Sequence, residues 1–428
     1  MERYEDPILR ETVYTEKLPS GLPVIVVPRP GFKQATSTFT THYGSLDSVF
    51  IPPGKQSSVQ VPDGIAHFLE HKLFESEEGD AMSKFAALGA QSNAYTTWEQ
   101  TAYFFTTTSN FTQCLDVLLE MVQKPWFTDE SVAKEQGIIG QEIQQYRDDP
   151  SARSVYAMME AMYQRHPIRI DIAGTVESIS HITKELLYEC HRTFYHPSNM
   201  VLVAVGDLDP HQVVDQVARS VAEHKYGPQG DIQRVFEPEP TKVGQPRVEE
   251  RLVVAQPILR LGFKDRDIGY DGQPLQRKDL LTSILLDAML GRSSPLYTEL
   301  YEAGLIDQRF GYEYEGSESY GWTIIGGPTR DPAGLEQRLR EGIERTRRQG
   351  LDAEAFDRAK KKNMGRFLSA MSSSDTIAHL WNQLYFKGMD MFQWIPIGNS
   401  LTADEANVRL KEHFDPEASV ALLISPRD

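Results

Sequence analysis

Gly64-Ile65-Ala66-His67-Phe68-Leu69-Glu70-His71-Lys72-Leu73-Phe74 is the stretch on which the reading of this chain turns. On a helix, residues four apart lie one turn from each other on the same side, so the imidazoles of His67 and His71 can reach one metal ion. Glu70 sits three residues after His67 and one before His71, roughly 60° and 100° around the helix axis from them. It can face the same space without being a ligand, which suits a general base acting on water. The order of parts is the reverse of H-E-x-x-H, with the same chemistry available. The flanking Ile65, Ala66, Phe68, Leu69, Leu73 and Phe74 make the helix largely apolar. Two surface histidines and an acid on an amphipathic helix would be the plainer explanation. Buried imidazoles need a partner, and a metal is the simplest one.

Two histidines are too few for catalytic zinc, which normally takes three protein ligands and leaves one position for water. A carboxylate must come from elsewhere. Glu135 and Glu142, within Lys134-Glu135-Gln136-Gly137-Ile138-Ile139-Gly140-Gln141-Glu142-Ile143, stand seven apart. Two helical turns bring them onto one face with Val132, Ile139 and Tyr146. Taken alone they are ordinary solvated acids; beside the histidine helix both become candidates.

Working outward, residues 22–27 and 36–43 read as short β-branched strands bounded by turn residues. Helical stretches follow at 63–74 and 80–88. Residues 93–108, rich in Thr, Tyr and Phe, read as a hairpin turning near Trp98-Glu99-Gln100. Leu115, Leu118, Leu119 and Val122 repeat at helical spacing up to Pro125. Thr128 reads as the N-cap of a helix reaching Arg147, with Asp129 and Glu130 favourably placed at its start. Further helices are expected at 152–164 and 184–193, and a buried strand at 201–205. Strands and helices interleaved with hairpins indicate an α+β fold, with mostly antiparallel sheets packed by helices.

The polar, Pro/Gly-rich segment 226–249 is the best linker, giving expected domains at 1–225 and 250–428. A faint repeat relates the two halves. Ile182-Thr183-Lys184-Glu185 leads through a helix to Tyr195-His196-Pro197 and the strand 201–205. Leu401-Thr402-Ala403-Asp404 leads likewise to Phe414-Asp415-Pro416 and a strand at 420–424, with the prolines 219 residues apart.

Composition limits the function classes. The chain has 428 residues, 40% hydrophobic and 25% charged, which are globular values. Forty-four Lys+Arg against 61 Asp+Glu give a net charge of −17. That charge argues against nucleic acid or an anionic membrane surface as partner. Cys114 and Cys190 are too few for a disulfide framework or a zinc-thiolate cluster. The first residues lack the apolar core of a signal peptide, and no apolar run nears the roughly 20 residues that span a bilayer. The expectation is a cytoplasmic protein.

The paired motifs resemble those of the pitrilysin family of inverzincin metallopeptidases, which includes insulin-degrading enzyme and mitochondrial processing peptidase. Its signature is H-x-x-E-H followed some seventy residues later by E-x(6)-E. His166-Pro167, Gly174-Thr175, Tyr195-His196-Pro197-Ser198-Asn199-Met200 and Gly206-Asp207 also look like family landmarks, so the resemblance covers nearly the whole chain. It is closest to a cytosolic bacterial branch. The resemblance implies one Zn2+ per chain, held by His67, His71 and Glu142. It implies catalytic roles for Glu70, as base, and for Glu135, as the acid that steadies the site. Asn93-Ala94 stands where the family places a strand that holds the substrate by its main chain. The remaining histidines, His42 among them, read as structural.

The implied activity is zinc-dependent endopeptidase cleavage of peptides or unfolded segments. The alternatives are a non-catalytic scaffold subunit of the same fold and a dedicated processing or maturation protease. Active relatives use a second, silent half carrying an Arg and a Tyr seven apart. Here Tyr301 takes the place of that Arg and Gln308 the place of that Tyr; Arg309 and Tyr312 have the wrong spacing. The absence points to a homologous partner chain that supplies the pair, with a homodimer as the second arrangement.

Overall fold

The structure is a computed structural model and describes residues 1–427. The chain forms two compact units, each built from more than one segment. The first unit comprises residues 1–144, 170–236 and 370–386; the second comprises 145–169, 237–369 and 387–428.

One seven-stranded sheet carries the first unit. Its strands are β1 (Glu2–Asp6), β2 (Glu11–Lys17), β3 (Pro23–Pro28), β4 (Ala35–Thr41), β5 (Gln91–Thr96), β6 (Thr101–Thr107) and β7 (Met200–Gly206). They run in the order β1-β2-β3-β7-β4-β6-β5. Only β3 and β7 pair in parallel; the other neighbours are antiparallel. The core lies on the face that presents Val24, Val26, Phe39, Phe105 and Leu202 to Phe68, Leu69, Leu118, Leu119 and Phe194. Alternate residues of β4 point to opposite faces. Thr36, Thr38 and Thr40 therefore face away from this core, yet they are fully buried. Helix Ser374–Phe386 covers them, and the Thr38 hydroxyl donates to Asn382 Oδ1 at 3.1 Å.

The second unit repeats the plan with five strands. They are β8 (Arg247–Leu252), β9 (Ile258–Lys264), β10 (Gly311–Gly316), β11 (Gly321–Pro328) and β12 (Ser419–Pro426), in the order β8-β12-β9-β11-β10. Strand β12 is parallel to β8 and antiparallel to β9, as β7 is to β3 and β4. Leu259, Leu261, Phe263 and Ile325 pack there against Leu285, Leu286, Leu339 and Leu410. Helix Pro150–Met162 lies on this sheet. A Cβ at Gly262 would overlap the ends of Met158 and Met162, so the bare backbone of β9 admits those methionines.

The repeat is thus one of topology. In each unit a threonine-capped helix (Lys184–Phe194 or Ala403–His413) leads through a proline 3-10 turn to a strand paired in parallel on one side and antiparallel on the other. The units differ from two consecutive stretches divided at 226–249. The change at 236/237 falls inside that segment, but helix Pro150–Met162 belongs to the second unit and helix Ser374–Phe386 to the first. Periodicity marks a helix without saying which sheet its apolar stripe will cover. Hairpin β1-β2 lies outside the elements anticipated from the sequence. Among the described residues no helix is long and apolar enough to cross a membrane.

Candidate metal centre

Helix Ile65–Lys72 begins at Gly64, whose φ of 90° is left-handed. A Cβ there would collide with the carbonyl of Ala173, so glycine answers both a conformational and a steric demand. The helix buries Phe68 and Leu69 completely, and His67 and Glu70 lie only 8% exposed. Helix Asp129–Asp148 faces it, anchored by the buried Ile139 and Ile143. Thr128 closes its start, its hydroxyl accepting the Ser131 N–H at 3.1 Å.

His67, His71 and Glu142 bring one ligand atom each to within 4.8 Å of one another. Nε2 of His71 stands 3.4 Å from Glu142 Oε2, and Nε2 of His67 3.8 Å from Glu142 Oε1. A tetrahedral zinc with bonds of about 2.05 Å would separate its ligand atoms by roughly 3.3 Å, so the donor set fits with small side-chain adjustments. Nδ1 of His67, the ring nitrogen not facing Glu142, is buried without a hydrogen-bond partner. Burial, and then the neighbouring His71, push its pKa down to about 3. A neutral imidazole is what a metal ligand requires.

Glu135 is buried, and its Oε1 lies 3.0 Å from Nδ1 of His71. A proton on Nδ1 then leaves the Nε2 lone pair turned toward Glu142, the carboxylate–histidine arrangement common around metals. Burial pulls the pKa of His71 down, but its hydrogen bond to Glu135 and the charges of Glu70 and Glu142 outweigh it and raise the net value. Glu70 accepts a 2.5 Å hydrogen bond from the Thr96 hydroxyl. Burial raises its pKa to about 7, with Thr96 and His71 acting against the rise and Glu142 adding to it.

Thr96 escaped the sequence reading. A period-two argument could have found it, since it follows Ala94 by two residues and shares its face of β5. Strand β5 is an edge of the seven-stranded sheet and packs against the histidine helix. Asn93 is exposed, and its side-chain oxygen accepts the N–H of Ala94 at 2.9 Å. That bond is local and does not reach the two histidines. Arg309 is held by Asp307 and Tyr312 by Asp287.

Comparison with known proteins gives the family. Residues 42–176 match the model described as "Insulinase (Peptidase family M16)", and residues 181–363 match "Peptidase M16 inactive domain". The chain belongs to peptidase family M16. "Uncharacterized zinc protease YmfH" of Bacillus subtilis is 41% identical over 98% of both chains. A second Bacillus subtilis relative, "Uncharacterized zinc protease YmxG", is 24% identical over 77% of this chain and 79% of its own. A crystal structure of an M16-like protein from Alicyclobacillus acidocaldarius matches with a TM-score of 0.95 at 39% identity, covering 99% of this chain and 100% of that one. Pitrilysin matches with a TM-score of 0.75 at 17% identity, and this chain covers 46% of it. The α+β fold of two related M16 units, of the YmfH type, follows from these likenesses.

Proposed function

We propose that this M16 chain is a zinc endopeptidase in which His67, His71 and Glu142 hold one zinc ion and Glu70 is the general base. The observation that carries the reading is the convergence of these three ligand atoms next to the buried carboxyl of Glu70. Zinc, when bound, supplies Lewis-acid polarisation of water and of the scissile carbonyl. Glu70 takes the proton of the attacking water and passes it to the leaving amine. Thr96 fixes the carboxylate, leaving one oxygen for the proton, and Glu135 fixes the ring of His71. Strand β5, with Asn93 and Ala94, has a free edge at which an extended peptide can pair by main-chain hydrogen bonds.

The same reading includes a homologous partner. Tyr301 and Gln308 stand where family members carry the Arg/Tyr pair, so a second M16 chain supplying it completes the active species. The test is peptide hydrolysis by the chain alone and mixed with such a partner from its own cell, each repeated with Glu70→Gln. Hydrolysis that Glu70→Gln abolishes supports the reading. No hydrolysis in either mixture, with zinc present, would leave a scaffold subunit of the same fold.

A further inference from the structure

A cavity of about 580 Å3 opens in the second unit, between helices Gly272–Leu290, Pro295–Glu302 and Ala353–Ala370 and the start of β10. Its wall carries three cations, Arg292, Lys362 and Arg366, and three aromatic rings, Tyr297, Phe310 and Tyr312. The buried Asp287 neutralises only one cation. It accepts from Lys362 Nζ at 2.6 Å and from the hydroxyl of Tyr312. Arg292 and Arg366 have no hydrogen bond or ion pair among the described residues. Both guanidiniums nevertheless act on the same phenol, that of Tyr312, whose pKa burial and Asp287 raise and the two arginines oppose.

Two arginines on one cavity wall are left without an acid among the described residues. With a net charge of −17 the chain offers acids freely. Elsewhere in the unit Arg338 and Arg345 share Glu299, Arg340 takes Glu336, and Arg347 takes Glu344. Also on the cavity wall, the rings of Tyr297 and Phe310 stand 6.1 Å apart in an edge-to-face pair. The volume lies in the range of small-ligand pockets, and a wall divided into apolar and cationic parts suits an organic anion. A guanidinium matches a carboxylate in shape and donor geometry. A phosphate would look for backbone donors as well. At the start of helix Pro295–Glu302 the Tyr297 N–H is taken by Ser294 and Pro295 has none, so phosphate is left as an outcome for the test.

We propose that this cavity binds the C-terminal carboxylate of a peptide, with Arg292 and Arg366 on the carboxylate and Tyr297 and Phe310 on the apolar side chain of the last residue. The choice of a peptide as the source of the carboxylate rests on the peptidase reading; the anion site itself does not. Calorimetric titration of the full chain carrying Glu70→Gln, which does not cut, tests it with a short peptide ending in Phe, the same peptide as its C-terminal amide, and inorganic phosphate. The free acid is expected to bind at least tenfold more tightly than the amide. Adding Arg292→Gln and Arg366→Gln removes that preference, and because both side chains are exposed the fold is kept. Adding Glu142→Gln at the metal centre leaves the preference intact. Equal binding of acid and amide overturns the proposal, as does a preference that survives the double arginine replacement. Phosphate binding more tightly than the acid overturns the peptide as source. A preference that persists while the wild-type chain cuts nothing with any partner supports this site and counts against the peptidase reading alone.

Discussion

Glu70→Gln exchanges a carboxylate for an amide of the same shape that cannot take a proton, while the three candidate ligands stay in place. Hydrolysis is expected to fall by about 10²–10⁴-fold with the metal content unchanged, measured by peptide cleavage and elemental analysis on the same sample. Glu135→Gln acts through His71. It should weaken zinc binding by roughly 10–100-fold in a chelator competition, because the ring exchanges a charged carboxylate acceptor for a neutral amide. Another histidine governs stability rather than chemistry. His191 is buried with Nε2 2.8 Å from the Val122 carbonyl, and burial lowers its pKa to about 4. Between that value and the ordinary one near 6.5, the unfolded chain takes a proton that the folded one refuses. Stability is therefore fully present above about pH 6.5 and declines as the pH falls toward 4, by on the order of 1 kcal/mol per pH unit. His191→Gln should flatten this part of the Tm-against-pH curve; an unchanged slope would remove His191 as its source.

At the scale of elements, the start of the histidine helix depends on one backbone conformation. Gly64→Ala places a Cβ against the Ala173 carbonyl and forces a left-handed φ on an L residue. A loss of about 1–3 kcal/mol is expected in denaturant unfolding, together with weaker zinc binding, since the helix carries two of the candidate ligands. A Tm and zinc affinity equal to wild type would show that the helix can begin in another way. Much at this scale is legible in the sequence. The spacing of His67 and His71, and of Glu135 and Glu142, is itself helix geometry, and the helices Ile65–Lys72 and Asp129–Asp148 do bring these side chains together. Strands β3, β4 and β7 are visible because β-branched runs end at Gly and Pro. Less visible are contacts that depend on which layer covers which. The buried threonines of β4 owe their burial to a helix over 330 residues further along the chain. Thr96 meets Glu70 because an edge strand packs beside a helix; its period-two relation to Ala94 marks the shared face but not the helix that face meets.

At the scale of the molecule, two units of one plan have diverged. The first gathers two histidines and one acid as candidate ligands; among the described residues no second group of three or more His, Cys, Asp and Glu side chains comes together in this way. The repeat of a capped helix, a proline turn and a strand exposed this doubling in the sequence, because it is written in local signals. The exchange of helices Pro150–Met162 and Ser374–Phe386 between units was not legible, since it is decided by tertiary packing. If a homologous chain completes the enzyme, mixing the two should raise peptide hydrolysis at least tenfold over this chain alone, and size-exclusion chromatography should show a heterodimer. Full activity from the unmixed chain would count against that arrangement. The most direct test of the central claim is the zinc content of protein purified without added metal and then titrated with zinc. About one zinc per chain is expected for the wild type, and far less for Glu142→Gln. A well-folded wild-type chain that takes up no zinc, or that binds it equally well without Glu142, would contradict it.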